Sequence, residues 1–170
     1  MLDLGFLPDV ETLIGATARR TTGVVPMDRT LVVTTAEQVP ELRRCLPTLP
    51  IDNILVEPIG RNTAPCIGLA AVMLLKRDPQ AVMAVLPSDH FVSDEEGFRR
   101  TLSAALEVAR EGHVVTLGIR PTHPETGYGY IELGPESAGS RMAAAFVAKP
   151  DRKRAEEYVA SGRYLWNSGT

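Results

Sequence analysis

Apolar and polar positions run in two different rhythms along this chain, and the rhythm changes near residue 119. Before that point, near-continuous apolar runs of strand length recur at 31–33, 53–57, 82–86 and 114–117. Between them lie stretches of helical spacing. The first predicts a helix N-capped by Asp9 that turns Leu13, Ile14 and Ala18 inward. Others follow over 41–46, over 65–77 with Ile67, Leu69, Ala70, Leu74 and Leu75, and from an Asp94 cap through Phe98, Leu102 and Leu106 to Ala109. Apolar strands alternating with such helices predict an α/β fold, with a parallel sheet covered on both faces.

After Ile119 the pattern breaks at Pro121, Pro124 and Gly127. Strands are expected over 128–133 and 144–148, then a short helix capped by Asp151 with Ala155, Tyr158 and Val159 on one side. The last residues, 164–170, read as the approach to a further strand. One domain over 1–170 is expected, with 1–119 as its main sheet and 120–170 as a subsite built onto it. No strand precedes the first helix, so the sheet reads as cut at both ends. Its open strand flank allows a homo-oligomer.

Composition narrows the function classes. The 170 residues carry a net charge of −3, which gives no electrostatic case for nucleic acid or an acidic membrane. The longest apolar run, 67–75, is too short to span a bilayer, and no basic start with an apolar run marks a leader. Cys45 and Cys66 are the only cysteines, and both are expected reduced, which suits the cytoplasm.

Candidate chemistry collects where strands end. Glu57 closes one apolar strand, and Gly60, Arg61, Asn62, Thr63 and Ala64 lead into a helix with Pro65 in its first turn, a common way to build a ligand edge. Asp89 follows the 82–86 run directly, where a carboxylate can hold Mg²⁺ or, with Ser88, merely cap a turn. Gly127, Tyr128 and Gly129 offer a close backbone approach and an aromatic face to a sugar ring, or else form a turn into a strand. Lys149 can meet a phosphate, and Asn167 can meet hydroxyls; solvation and a turn are the alternatives. His90 more often packs than transfers protons, and His113 and His123 carry no assigned role.

The order of these segments is more specific than any one of them. Val56-Glu57-Pro58-Ile59-Gly60-Arg61-Asn62-Thr63-Ala64-Pro65, then Leu86-Pro87-Ser88-Asp89-His90, then Gly118-Ile119-Arg120-Pro121 with Thr126-Gly127-Tyr128-Gly129-Tyr130-Ile131, then 146–150, and finally Leu165-Trp166-Asn167-Ser168-Gly169 closely resemble the mannose-1-phosphate guanylyltransferase family. That family is one of the sugar-1-phosphate nucleotidyltransferases. The resemblance implies a Rossmann-like three-layer α/β sheet, mostly parallel and here incomplete. It implies transfer of GMP from GTP to mannose 1-phosphate, with 1–119 serving the nucleotide and 120–170 the sugar phosphate. Asp89 would hold Mg²⁺ and, with Lys149, act in catalysis. Residues 57–64 would surround the base, and Gly127, Tyr128, Lys149 and Asn167 would meet the sugar phosphate.

One of these roles also follows from hydrogen-bond chemistry. An ionised Glu only accepts, and guanine presents two adjacent donors on its pairing edge, so Glu57 can select guanine. Against the family pattern, the Gly-rich triphosphate loop and a second metal-binding aspartate lie outside these 170 residues, and Ala148 stands where a Glu is usual. The isolated chain is therefore expected to be weakly active or inactive. A non-catalytic nucleotide- or sugar-phosphate-binding relative, and an enzyme for another sugar 1-phosphate, are the alternatives.

Overall fold

Thr12 starts the first helix, its hydroxyl accepting from the Gly15 N–H at 3.2 Å, so α1 runs Leu13–Thr21. The computed structural model describes residues 11–60, 62–137 and 139–170; Asp9, expected as the cap, and Arg61 of the ligand loop lie outside the described residues. The chain divides into two compact units, Met1–Gly112 and His113–Thr170, with the division ahead of the change in rhythm at Ile119.

In the first unit, β1 (Val32–Thr35) and β2 (Ile54–Glu57) pair in parallel, Val32 opposite Ile54 and Thr35 opposite Glu57. Helix α2 (Val39–Cys45) supplies the crossover that parallel pairing requires. Ala18, Leu42, Leu46 and Leu49 form the buried cluster, with Ile14, Val32 and Ile54 packed on it. After β2 the chain enters α3 (Thr63–Arg77). At the far end of α3, Arg77 donates to the Asn53 side-chain oxygen and to the Asp52 carbonyl, both at 2.7 Å. Asn53, itself buried, also donates to the Asp28 carbonyl at 2.9 Å. These bonds tie β2 to α3 at the end opposite the loop that joins them. Asp94 caps α4 (Glu95–Arg110) as its sequence predicts, accepting from the Gly97 N–H at 2.8 Å.

The second unit is an antiparallel sheet in the order β3–β6–β4–β5, made of Gly118–Ile119, Tyr164–Asn167, Tyr130–Ser137 and Ser140–Val147. Helix α5 (Arg152–Ser161) is capped by Asp151, which accepts from the Arg154 N–H at 2.9 Å, and ends at Gly162 with φ 65°. Tyr130 and Ala155 have no exposed surface, and with Trp166 they form the core of this unit. Tyr158 stacks on Tyr164 with ring centroids 4.1 Å apart.

The α/β class and the parallel sheet are as expected, but most paired strands among the described residues are antiparallel. The reversal at Gly139, φ 78°, brings β4 straight back as β5, and so tight a connection permits no parallel pairing. Three strand expectations shift. The 82–86 run is half-buried, yet it enters no ladder among the described residues: an apolar run reports burial, whereas a strand needs a paired backbone. The strand expected at 114–117 pairs only from Leu117 onward, where Leu117 N–H donates to the Thr170 carbonyl at 3.1 Å, and its ladder is Gly118–Ile119. Residues 164–167 do not merely approach a strand. They are one, bonded on both sides by β3 and β4.

Candidate functional site

In the first unit the candidate residues sit at the carboxyl end of β2 and in the turn after 81–87. Glu57 is half-buried at the strand end, and a Cβ placed on Gly60 would lie 3.7 Å from its Oε1, so the carboxylate leans over the loop. No described side chain hydrogen-bonds to it. Asn62 has φ 67° and ψ −177°, a region that is essentially glycine's, at a cost of roughly 1–3 kcal/mol. Its side chain leaves the first turn of α3 uncapped, so the amide groups of Thr63 and Ala64 remain available at an exposed helix start. The loop thus sets an acceptor, Glu57, beside free backbone donors. Burial pushes the Cys66 thiol up from its ordinary pKa, and the nearby Glu57 charge adds to this.

Asp89 is exposed in its turn and bonds to no described side chain. Among the described residues no three His, Cys, Asp or Glu side chains gather as a metal cage. A lone accessible carboxylate still suits Mg²⁺, which keeps several waters and binds through one or two carboxylates plus substrate phosphates.

In the second unit, Lys149 and Asn167 come together across a shallow concavity of ≈ 590 Å³, lined also by Gly129, Phe146, Val147 and Ala148. The Asn167 N–H donates to the Gly129 carbonyl at 2.9 Å, and its Oδ1 accepts from the Gly169 N–H at 3.0 Å, which leaves its side-chain NH₂ to donate outward. Lys149 is exposed and forms no ion pair among the described residues. Gly127 and Tyr128 do not line this concavity. They lie on the loop before β4, where Tyr128 packs edge-on against Trp166 at 5.4 Å. Ala148 contributes only a methyl group to the wall.

Two contributors had no individual role assigned from the sequence. Phe146, the start of the 146–150 segment, lines the concavity with 64% of its surface exposed; its place two residues before Ala148, at the end of β5, was the available signal. Glu125 organises the glycine loop, accepting from the Gly127 N–H at 2.7 Å. That bond first, then the Thr126 N–H and His123, holds the Glu125 carboxyl below its ordinary 4.5. A carboxyl depressed on folding stabilises above its unfolded pKa, and the contribution is lost as pH falls through the folded value. Emission from Trp166, the single tryptophan, should therefore shift as pH drops below 4.5, and Glu125→Gln should flatten that shift. An acid transition unaltered in Glu125→Gln would assign it to other groups.

Known proteins resemble this chain at the level of family, sequence and structure. A family model described as Nucleotidyl transferase matches residues 6–170. A mannose-1-phosphate guanylyltransferase of Klebsiella pneumoniae is 46% identical over 138 residues, covering 79% of this chain and 28% of that protein. The xanthan biosynthesis protein XanB of Xanthomonas campestris pv. campestris (strain B100) is 48% identical over 116 residues, 68% of this chain and 25% of its own length. The chain thus spans about a quarter of the curated relatives it matches. Among solved structures, a mannose-1-phosphate geranyltransferase from Thermus thermophilus superposes with a TM-score of 0.82 at 41% identity, over 92% of this chain and 45% of that one. A mannose-6-phosphate isomerase from Helicobacter pylori gives 0.80 at 29% identity, over 95% and 60%. No helix among the described residues is long and apolar enough to cross a membrane.

Proposed function

The chain belongs to the nucleotidyl transferase family, and on that premise we propose that its segment serves a protein that makes GDP-mannose from GTP and mannose 1-phosphate. A phosphate oxygen of mannose 1-phosphate attacks the α-phosphorus of GTP, the bond to the β-phosphate oxygen breaks, and pyrophosphate leaves. Such a displacement asks mainly for alignment and for neutralisation of phosphate charge.

The observation that carries this reading is the concavity shared by Lys149 and Asn167, which flank α5 in the sequence. A lysine ammonium suits a phosphate, an outward amide suits sugar hydroxyls, and the Phe146 ring suits the apolar face of a hexose. Gly127 and Tyr128, on the adjoining loop, border the sugar. Residues 57–64 receive the base, Glu57 taking guanine's two donors. Asp89 would hold Mg²⁺, which when bound neutralises phosphate charge. Two free thiols, Cys45 and Cys66, support a cytoplasmic setting.

Ala148 favours a second reading, binding without turnover. A site that lacks a carboxylate for sugar hydroxyls loses acceptors on which affinity and discrimination rest. The test is an assay with GTP, mannose 1-phosphate and Mg²⁺ on a protein carrying this segment in its full-length context. Pyrophosphate and GDP-mannose in equal amounts are expected, together with Mg²⁺-dependent GTP binding by the 170 residues alone. GTP binding with no product from the full-length protein would replace the catalytic reading with the binding one.

A further inference from the structure

Arg20 is 2% exposed, an unusual position for a guanidinium, while its neighbour Arg19 reaches into solvent to pair with Glu11 and Glu95. No carboxylate among the described residues forms an ion pair with Arg20. Burying such a charge is costly unless its donors are used. Nη2 is used, in part on the turn that carries Asp89. Arg20 Nη2 donates to the His90 carbonyl at 2.7 Å and to the Thr17 hydroxyl. The Thr17 hydroxyl, also buried, donates to the Ser88 carbonyl at 3.4 Å. The Phe98 ring of α4 covers the guanidinium, 5.8 Å from centroid to Cζ. The carbonyls on either side of Asp89 are therefore both anchored to α1, while the Asp89 side chain itself bonds to no described residue.

We propose that Arg20, acting with Thr17, is the positioning residue of the Asp89 turn: by holding the Ser88 and His90 carbonyls they set the direction in which the carboxylate is presented. This rests on the reading of Asp89 as the Mg²⁺ ligand. Arg20 touches neither metal nor nucleotide, so its effect is indirect, like that of groups that orient metal ligands from behind.

Four variants of the 170-residue chain separate these roles: Arg20→Met, Arg20→Lys, Thr17→Val and Asp89→Asn. Each is measured by backbone ¹⁵N order parameters at 88–90 and by the Mg²⁺ concentration giving half-maximal GTP binding. In Arg20→Met the order parameters at 88–90 should fall below about 0.6 while those of α1 and α4 stay rigid. The Mg²⁺ midpoint should rise about tenfold, the usual scale for removing such a support, with metal-free GTP affinity unchanged. Arg20→Lys should recover part of both effects. A folded Arg20→Met with the parent's order parameters and midpoint overturns the proposal. If Arg20→Met does not fold, Thr17→Val decides in the same way, since it removes the Ser88 bond and the acceptor Thr17 offers Arg20 while keeping the Arg20 bond to the His90 carbonyl. An unchanged Mg²⁺ midpoint in Asp89→Asn would sink the metal reading of Asp89 instead, and the order parameters of Arg20→Met alone would then decide the tether.

Discussion

Replacing Tyr130 with alanine should cost about 3–5 kcal/mol, most or all of the stability that a small unit can spare. Tyr130 has no exposed surface; it packs with Ala155 and Trp166 and meets Tyr158 at 5.3 Å between ring centroids. Its hydroxyl donates to the Glu125 carbonyl at 2.8 Å and accepts from the Glu125 N–H at 3.1 Å. The core of the second unit and the loop that carries Gly127 and Tyr128 thus share one side chain. Tyr130→Phe separates the two effects. It keeps the ring and the packing but removes both bonds, at about 1–3 kcal/mol for backbone groups left without their partner. Urea unfolding should rank the variants alanine, phenylalanine, parent in rising stability. Mannose 1-phosphate binding should weaken in Tyr130→Phe even where the unit stays folded. A phenylalanine variant equal to the parent in both measurements would show that the loop is held by something other than this hydroxyl.

The sequence was most legible where the determining interaction is short-range. Asp94 and Asp151 cap α4 and α5 through N–H groups three residues on, and a pattern of that span can be read directly. The strand–loop–helix around Glu57 was legible for the same reason, since strand end, glycine and helix start are contiguous. The 82–86 run shows the limit. Its apolar residues state that it is to be covered, but only its neighbours decide whether its backbone is paired. The interior place of β6 likewise depends on partners at Gly118 and Tyr130, far away in sequence. Among the candidate residues, Asp89, Lys149 and Asn167 could be proposed from motif order. Arg20 could not: an arginine beside another arginine on an amphipathic helix reads as part of a solvated face, and only the fold turns one inward.

Glu57→Gln should lower GTP affinity by a factor of about 10–100 and leave UTP and dTTP affinity nearly unchanged. Guanine's pairing edge offers a ring N–H and an exocyclic amine side by side, two donors in a row. A carboxylate answers both with oxygens and adds charge to each bond. Glutamine answers one with its oxygen and sets its own NH₂ against the other, so one donor loses its partner and meets a donor instead. Uracil and thymine present a single N–H between two carbonyls. For them the carboxylate is a poor match and the amide a better one, so the exchange costs little. The setting on this chain makes the comparison a clean one: Glu57 ends β2 half-buried, and no described side chain hydrogen-bonds to it. Asn62, with its strained backbone, directly precedes an uncapped α3, whose N–H groups can meet the carbonyl that guanine carries next to its donors. That contact would survive in Glu57→Gln, which is why the loss is bounded and not complete. Competition of GTP against UTP and dTTP for one site, in the parent and in the variant, reads the ratio directly. A ratio unchanged by the substitution would remove Glu57 from base selection and leave it only the closing of a strand.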